Sequence, residues 1–198
     1  MPRGGDTVEQ MGFSRDQLEK YRDATVDDLI GATPRLVFVG INPGLWTAAT
    51  GTHFAHPGNR FYPALLRAGI IDREIDRSAG FTDDDRRHLT ERGIAITNLV
   101  MRATVRASEL TRTELRQGSA VVRRKIEAWQ PRVVAFAGIT AFREAYDRPA
   151  ATVGLQEEIW GETSVWVVPN PSGLNAHETI DSLAVAYGDA ARAAGVIR

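Results

Sequence analysis

The chain of 198 residues contains no cysteine. Disulfide bonds, thiolate nucleophiles, zinc–thiolate centres and iron–sulfur clusters are therefore excluded. Lysine is almost as scarce, because Lys20 and Lys125 are the only two and arginine supplies nearly all of the positive charge. A mechanism that forms a Schiff base on lysine thus has only two possible nucleophiles, and neither lies in the two Asn-Pro turns described below.

Long apolar runs are also missing, and no stretch reaches the length that spans a membrane. The first ten residues, MPRGGDTVEQ, lack the apolar core of a signal peptide. We therefore expect a cytoplasmic monomer that binds no membrane. The 24 basic residues oppose 25 acidic ones, for a net charge of -1, so the total charge favours no particular partner.

The composition, 43% hydrophobic and 25% charged, is typical of one globular domain. Residues 1–32 are polar with only a weak helical pattern, and we expect them to be a lead-in segment that is partly mobile. The domain itself is expected to occupy residues 33–198.

Apolar runs and helical patterns alternate through this domain. The best helical spacing covers residues 112–130, and a last helix is predicted to begin with a capping box of Asn175 and Glu178. This order predicts an α/β three-layer sandwich around a mostly parallel sheet of four or five strands. Four runs lack strict alternation and predict strands buried on both faces: residues 35–41, 93–99, 132–139 and 164–169.

Two of these predicted strands end in similar turns, Asn42-Pro43-Gly44 after the first and Asn170-Pro171-Ser172-Gly173 after the fourth. Asn-Pro-Gly is an ordinary turn signal. In parallel sheets, however, ligand sites lie outside the carboxyl ends of the strands, where the connecting loops gather. We therefore expect the two turns to meet in space, together with the loops after the second and third strands.

The segments around these turns resemble one family. GINPGL, GTHFAHPGNRF, TNLVMRAT and NPSGL stand in the order and spacing of the mismatch-specific uracil-DNA glycosylases, the bacterial relatives of thymine-DNA glycosylase. The similarity extends from about Arg35 to near the C-terminus. It implies a monofunctional glycosylase that hydrolyses the N-glycosidic bond of uracil, and of thymine or other damaged pyrimidines, opposite guanine in duplex DNA. The resemblance implies no metal or organic cofactor.

The resemblance places Asn42 in the catalytic position. Its side-chain carbonyl can orient a water toward the sugar C1′, but an amide has no useful basicity, so positioning and electrostatics would supply the rate. Backbone N–H groups of the turn from Ile41 to Gly44 would stabilise the departing uracil anion. More efficient uracil glycosylases carry Asp and His where this chain has Asn42 and Asn170, and we therefore expect a slow enzyme.

Other residues of the resemblance would shape the base pocket. Phe54 matches the aromatic residue that stacks on the flipped base. Thr47 and Ala48 lie beside the base C5, where small side chains would admit thymine, although Trp46 stands where relatives often have a smaller residue. His56 is expected to be a loop or pocket residue that donates a hydrogen bond.

Each of two further asparagines has two possible roles. Asn59 is either a helix cap or a substrate contact. Asn98 either positions water or phosphate or satisfies backbone groups at the strand end, and Thr104 is a weaker candidate in the same loop. His53 and His56 resemble a metal pair, but no third ligand is nearby, so a catalytic zinc site is not expected.

The NPSGL segment implies the element that opens the duplex. Leu174 would be an apolar wedge that fills the vacated space, and Gly173 would present its backbone to the widowed guanine. Ser172 would hold a flanking phosphate.

Three arginines follow the second predicted strand, and they form either a phosphate-binding patch or a solvated face: Arg102, Arg106 and Arg112. The expected partner is double-stranded DNA with a G·U or G·T mismatch. A competing function is a module that binds uracil or abasic sites with little turnover, because Asn42 and Asn170 supply no titratable catalyst.

Overall fold

A five-stranded sheet forms the centre of the molecule in a computed structural model that describes residues 12–77 and 80–198. The strand order is β2-β1-β3-β5-β4, and every neighbouring pair is parallel except β4 and β5. The strands are β1 Leu36–Gly40, β2 Ile94–Asn98, β3 Val133–Ala137, β4 Gly154–Trp160 and β5 Thr163–Val168.

Helices cover both faces of this sheet, which confirms the predicted three-layer α/β architecture. In the described ranges they are α1 Arg15–Glu19, α2 Leu45–Thr50, α3 Phe61–Arg67, α4 Asp83–Glu91, α5 Arg112–Trp129, α6 Ile139–Tyr146 and α7 Ile180–Ala193, with a short 3-10 turn at Ala107–Glu109. None of them is long and apolar enough to cross a membrane.

Successive side chains of the central strands enter two separate cores. On β1, Phe38 packs in the core that α3, α4 and α7 cover, whereas Val37 and Val39 pack in the core that α5 and α6 cover. All five residues of β1 are buried, as are those of β2 and β3. Strands covered on both faces therefore lack the alternation of a half-exposed strand.

The strand β4 is missing from the four runs that predict strands. Its sequence, GLQEEIW, mixes charged and apolar residues, and Leu155 and Ile159 are exposed at the edge of the sheet. β4 forms an antiparallel hairpin with β5, with Leu155 opposite Trp166 and Trp160 opposite Thr163. Its pairing therefore depends on a neighbouring strand more than on its own apolar pattern.

Part of the N-terminal segment packs against the domain. Leu29 is buried in the core, and its backbone exchanges two hydrogen bonds with Ile96 of β2, at 2.9 and 2.8 Å. Thr25 forms a further bridge with Arg102. Residues 24–30 thus cover the outer edge of β2, while the first eleven residues of the predicted lead-in lie outside the described part of the chain.

The two clearest predicted helices are both present, but the start of the last one differs. α5 begins at a capping box of Thr111 and Glu114 and covers the predicted range. The predicted box of Asn175 and Glu178 is wrong, because α7 begins at Ile180 and Thr179 is its cap. Asn175 instead uses its side-chain amide within the preceding loop, where Nδ2 donates to the carbonyl of Asn170 at 3.2 Å.

Candidate active site

The loops that follow β1, β2, β3 and β5 surround a cavity of about 440 Å³ at the carboxyl edge of the sheet. The two Asn-Pro turns therefore meet, as their position in the sequence suggests. Most of the predicted site residues line this cavity: Ile41, Asn42, Gly44, Thr47, Phe54, His56, Asn59, Asn98, Asn170, Ser172, Gly173 and Leu174. Ala48 and Arg102 are not part of its wall.

The side-chain amide of Asn42 is anchored through hydrogen bonds that its nitrogen donates. Nδ2 donates to the hydroxyl of Thr104 at 2.8 Å and to the carbonyls of Arg102 at 3.0 Å and Pro43 at 3.1 Å. Oδ1 accepts no hydrogen bond from the described residues. It is not cut off from solvent. The carbonyl oxygen of Asn42 is thus fixed in direction and not sealed, on a residue that lines the cavity.

The loop after β2 holds the backbone of the first turn. The N–H of Thr104 donates to Pro43 at 3.1 Å, and the N–H of Val100 donates to Ile41 at 2.9 Å. Gly118 of α5 allows this arrangement, since a Cβ there would lie 2.0 Å from the carbonyl oxygen of Leu99. A helix that packs so closely therefore fixes the loop against which the Asn42 turn rests.

Phe54 has one ring face covered by protein. Its ring stacks on Phe61 of α3 with centroids 4.1 Å apart and an interplanar angle of 23°. The residue is partly buried and borders the cavity, and its φ of 55° is unusual for a residue with a bulky side chain. A backbone held in this conformation often marks a functional position.

His53 and Asn98 form a buried pair at the floor of the cavity. His53 is 2% exposed and Asn98 is 4% exposed. The ring Nε2 lies 2.9 Å from the backbone carbonyl of Asp27, and Nδ1 lies 3.2 Å from Nδ2 of Asn98. Burial lowers the pKa of His53 to about 4, outweighing the hydrogen bond to Asp27, which raises it.

This pair argues against one interpretation of each residue. Asn98 contacts a side chain, so its amide does not serve the backbone groups at the end of β2. Both ring nitrogens of His53 are engaged, which removes the resemblance to a metal pair with His56. No group of three metal-binding side chains occurs in residues 12–77 and 80–198.

His56 and Asn59 lie in the loop before α3. Nδ1 of His56 accepts a hydrogen bond from the N–H of Gly58 at 3.1 Å, so Nε2 is left as the ring donor when the imidazole is neutral. Oδ1 of Asn59 accepts from the N–H of Phe61 at 2.9 Å, at the start of α3. Asn59 therefore satisfies a helix-end N–H and also borders the cavity.

Leu174 stands out at the rim of the cavity, because its side chain is 88% exposed. The turn before it is stiffened by its own polar side chains. Oδ1 of Asn170 accepts from the N–H of Ser172 at 3.0 Å, and the hydroxyl of Ser172 accepts from the N–H of Leu174 at 3.3 Å. A large apolar side chain is thus presented to solvent on a rigid turn.

Arg60 fastens this turn to α3, a role that the sequence does not reveal. Its guanidinium donates to the carbonyls of Ser172 at 2.6 Å, Asn175 at 2.7 Å and Glu178, and its N–H donates to Pro171 at 3.0 Å. Residues 170–178 are called the wedge loop below, after the role that the resemblance implies for Leu174.

The wedge loop also packs closely on the loop that precedes α3. A Cβ at Gly173 would lie 2.6 Å from the carbonyl oxygen of Gly58, so a side chain at this position would displace one of the two loops. The HPGNR segment, residues 56–60, therefore supports the wedge loop and also borders the cavity.

The guanidinium of Arg102 is engaged by carboxylates. It donates to Glu114 at 2.6 Å and to Asp23 at 3.0 Å, and this pairing raises its pKa and lowers that of Glu114 to about 2. Arg112 lies 4.0 Å from Glu144. For Arg102 and Arg112 these contacts favour the solvated, ion-paired interpretation over a patch that is free to bind phosphate.

The N-terminal helix forms a wall of the cavity that the sequence analysis missed. Arg15, Leu18 and Glu19 of α1 line it, and Phe13 packs edge-on against Trp46 with ring centroids 5.1 Å apart. The weak helical pattern of this segment was the only available signal. Trp46 thus serves partly as the surface on which the N-terminal segment docks.

Together the fold and the site define an α/β protein with a cavity large enough for a nucleobase and an exposed apolar residue at its rim. The model of the uracil DNA glycosylase superfamily matches residues 28–189, and the chain belongs to that superfamily. Membership supports DNA glycosylase activity in general, which is the hydrolysis of an N-glycosidic bond in DNA.

A solved structure shares the fold at low sequence identity. It is the solution structure of a protein from Methanosarcina acetivorans described as a candidate uracil DNA glycosylase. The TM-score is 0.58 at 14% identity, over 88% of this chain and 98% of the other. At this identity the likeness supports the fold alone.

Proposed function

We propose that the chain is a monofunctional DNA glycosylase that removes uracil opposite guanine from duplex DNA and leaves an abasic site. Thymine and other damaged pyrimidines opposite guanine are further candidate substrates. The proposal combines superfamily membership with the NPSGL and HPGNRF segments that resemble the mismatch-specific glycosylases.

We assign the opening of the duplex to the wedge loop. A nucleotide must leave the stack before its glycosidic bond can be reached, and this costs a few kcal/mol. An apolar side chain that occupies the vacated space offsets part of that cost. The 88% exposure of Leu174, beside a cavity that could receive the base, supports this role. Gly173 would then present its backbone to the unpaired guanine.

Water positioning is the work that we assign to Asn42. The NH₂ group of Asn42 shares its two hydrogens among three acceptors, which keeps the carbonyl oxygen in one direction. That oxygen can accept a hydrogen bond from a water molecule and so direct the lone pair of the water at C1′. The water keeps its proton until it attacks. Because no strong base acts, the expected rate is low.

The departing base would be bound by stacking and by hydrogen bonds. Phe54, backed by Phe61, offers a flat surface for the pyrimidine. The negative charge that develops on the base would be stabilised by backbone N–H groups of the turn from Ile41 to Gly44. Asn42, Phe54 and this turn all border the same cavity.

The observation that carries the proposal is that the open carbonyl of Asn42 and the exposed Leu174 border one cavity. The test uses an end-labelled duplex with a single G·U pair, incubated with excess protein and then treated with alkali. Strand cleavage that appears only after alkali is the expected result. Cleavage without alkali would contradict a monofunctional enzyme.

A second candidate function is a module that binds uracil or abasic sites without turnover. It is favoured by the lack of a base in the two Asn-Pro turns and by the low pKa of about 4 of the buried His53. The same assay separates the two, since a binding module would retard the G·U duplex and produce no alkali-labile strand over long incubation.

A further inference from the structure

One wall of the cavity carries a positive charge that has no acidic partner. Arg15 of α1 is the only lysine or arginine among the described residues that line the cavity. Its side chain is exposed, and no ion pair of the described residues includes it, whereas Glu19 of the same wall is paired with Arg22. The neighbouring Asp16 is not part of that wall. The guanidinium of Arg15 is therefore available to an anion that reaches the cavity.

α1 is attached to the rest of the domain on both sides of Arg15. Before the helix, Phe13 packs edge-on against Trp46, with ring centroids 5.1 Å apart. After the helix, Arg22 binds Glu109 at 2.6 Å. These contacts hold α1 against the segments that follow β1 and β2. Arg15 therefore belongs to an anchored wall of the cavity.

The wedge loop borders the cavity from the opposite side. It follows β5, whereas α1 is held by the loop after β2. The sheet order β2-β1-β3-β5 places three strand spacings between the two, or about 14 Å. A flipped nucleotide turns about its own backbone, so its phosphates stay near the rim while the base enters. A DNA strand that delivers a base to this cavity must therefore cross the gap between α1 and the wedge loop.

We propose that α1 is a DNA-binding element and that Arg15 binds a backbone phosphate next to the flipped nucleotide. The inference rests on the proposed function, because it takes the ligand to be a DNA strand. Ser172 is the phosphate contact implied on the wedge loop, and Arg15 supplies one on the other side of the cavity. Arginine suits this task because its planar guanidinium can donate two parallel hydrogen bonds to phosphate oxygens.

Neither the superfamily match nor the other arginines near the cavity account for such a contact. α1 lies outside residues 28–189, the part of the chain that the superfamily model matches. Arg102 and Arg112 already lie beside carboxylates. Arg15 is thus a DNA contact that this chain adds to the superfamily fold.

The salt dependence of binding tests a phosphate contact directly. Each phosphate that a cationic side chain neutralises releases about 0.9 counterions from duplex DNA. The probe is a duplex with 2′-fluoro-2′-deoxyuridine opposite guanine, since the fluorine destabilises positive charge at C1′ and protects the glycosidic bond. In Arg15→Gln the slope of log Kd against log salt concentration should become shallower by about 0.9, with binding roughly tenfold weaker at about 0.1 M salt.

Two further variants separate a phosphate contact from a general effect of charge. Arg15→Lys keeps the charge and should retain most of the slope. Lys20→Gln removes the same charge from the C-cap of α1, outside the cavity wall, and should leave the slope unchanged. Because Arg15 and Lys20 are both exposed, neither substitution should disturb folding.

An unchanged slope in Arg15→Gln, or an equal change in Lys20→Gln, would refute the assignment of Arg15. Failure of the unaltered protein to bind the probe would refute it as well. The proposed function is tested separately, by uracil release from an ordinary G·U duplex. If the unaltered protein releases no uracil, the glycosylase proposal fails, and the salt slopes still decide whether Arg15 binds phosphate.

Discussion

The strongest structural prediction concerns Arg60, which fastens the wedge loop to α3. In Arg60→Met the aliphatic part of the side chain remains, but three hydrogen bonds to loop carbonyls are lost. The freed carbonyls can bind water, so a net value of about 1 kcal/mol for each bond is appropriate, or about 3 kcal/mol in all. That free energy corresponds to roughly a hundredfold increase in the population of the detached loop.

Hydrogen exchange and activity measure two consequences of this change. The backbone N–H at position 60, which donates to the carbonyl of Pro171 at 3.0 Å across the junction with the loop, should exchange roughly a hundredfold faster. The kcat/KM for a G·U duplex should fall by about tenfold or more, while that for single-stranded uracil DNA falls much less, because only the duplex needs the wedge.

Arg67→Met is the matched control on the same helix. Arg67 also reaches across to the first turn of α7, where it binds Asp181 at 2.7 Å, but this ion pair is exposed and contributes less than about 1 kcal/mol. It should change neither the exchange rate nor the substrate ratio. Equal losses on duplex and single strand in Arg60→Met, or none on either, would refute the assignment of Arg60.

Three further predictions follow from the site. Asn42→Ala should lower single-turnover uracil release by about a hundredfold or more with little loss of duplex binding, as expected for one catalytic electrostatic contact; gel retardation beside the activity assay checks both, and near-normal release would remove Asn42 from its role. Leu174→Ala should reduce activity on the G·U duplex more than on single-stranded uracil DNA, and equal losses would argue against a wedge. The contribution of His53 to the unfolding free energy should fall by about 3 kcal/mol as the pH drops from 6.5 to 4, because the imidazole gains a proton in the unfolded chain while burial keeps it neutral in the folded protein. Urea denaturation of His53→Leu should show a correspondingly shallower pH dependence over this range, and an unchanged slope would contradict the low pKa.

Much of the fold follows from local sequence patterns. The strands β1, β2 and β3 are continuous apolar runs because helices cover both of their faces, and such runs are easily recognised. β4 is different, since its residues alternate between exposed and half-buried positions, and only the hairpin with β5 makes it a strand. Pairing with a partner strand is not visible in a segment of seven residues.

The site was predictable in composition but not in its contacts. Two Asn-Pro turns at the ends of parallel strands must meet at one edge, and the cavity lies there. The roles of His53 and Arg60 depend on atoms contributed by distant segments, namely the Asp27 carbonyl and the wedge loop. The pairing of Arg102 with Asp23 and Glu114 likewise depends on residues far along the chain. Such contacts cannot be derived from local spacing.

The most direct test of the account is the release of free uracil from a G·U duplex under excess protein, measured by mass spectrometry. The unaltered protein should release one uracil per duplex, slowly, and leave a strand that only alkali cleaves, whereas Asn42→Ala should bind the same duplex and release almost none. Binding without any release by the unaltered protein, or equal release by both proteins, would contradict the assignment of a glycosylase that depends on Asn42.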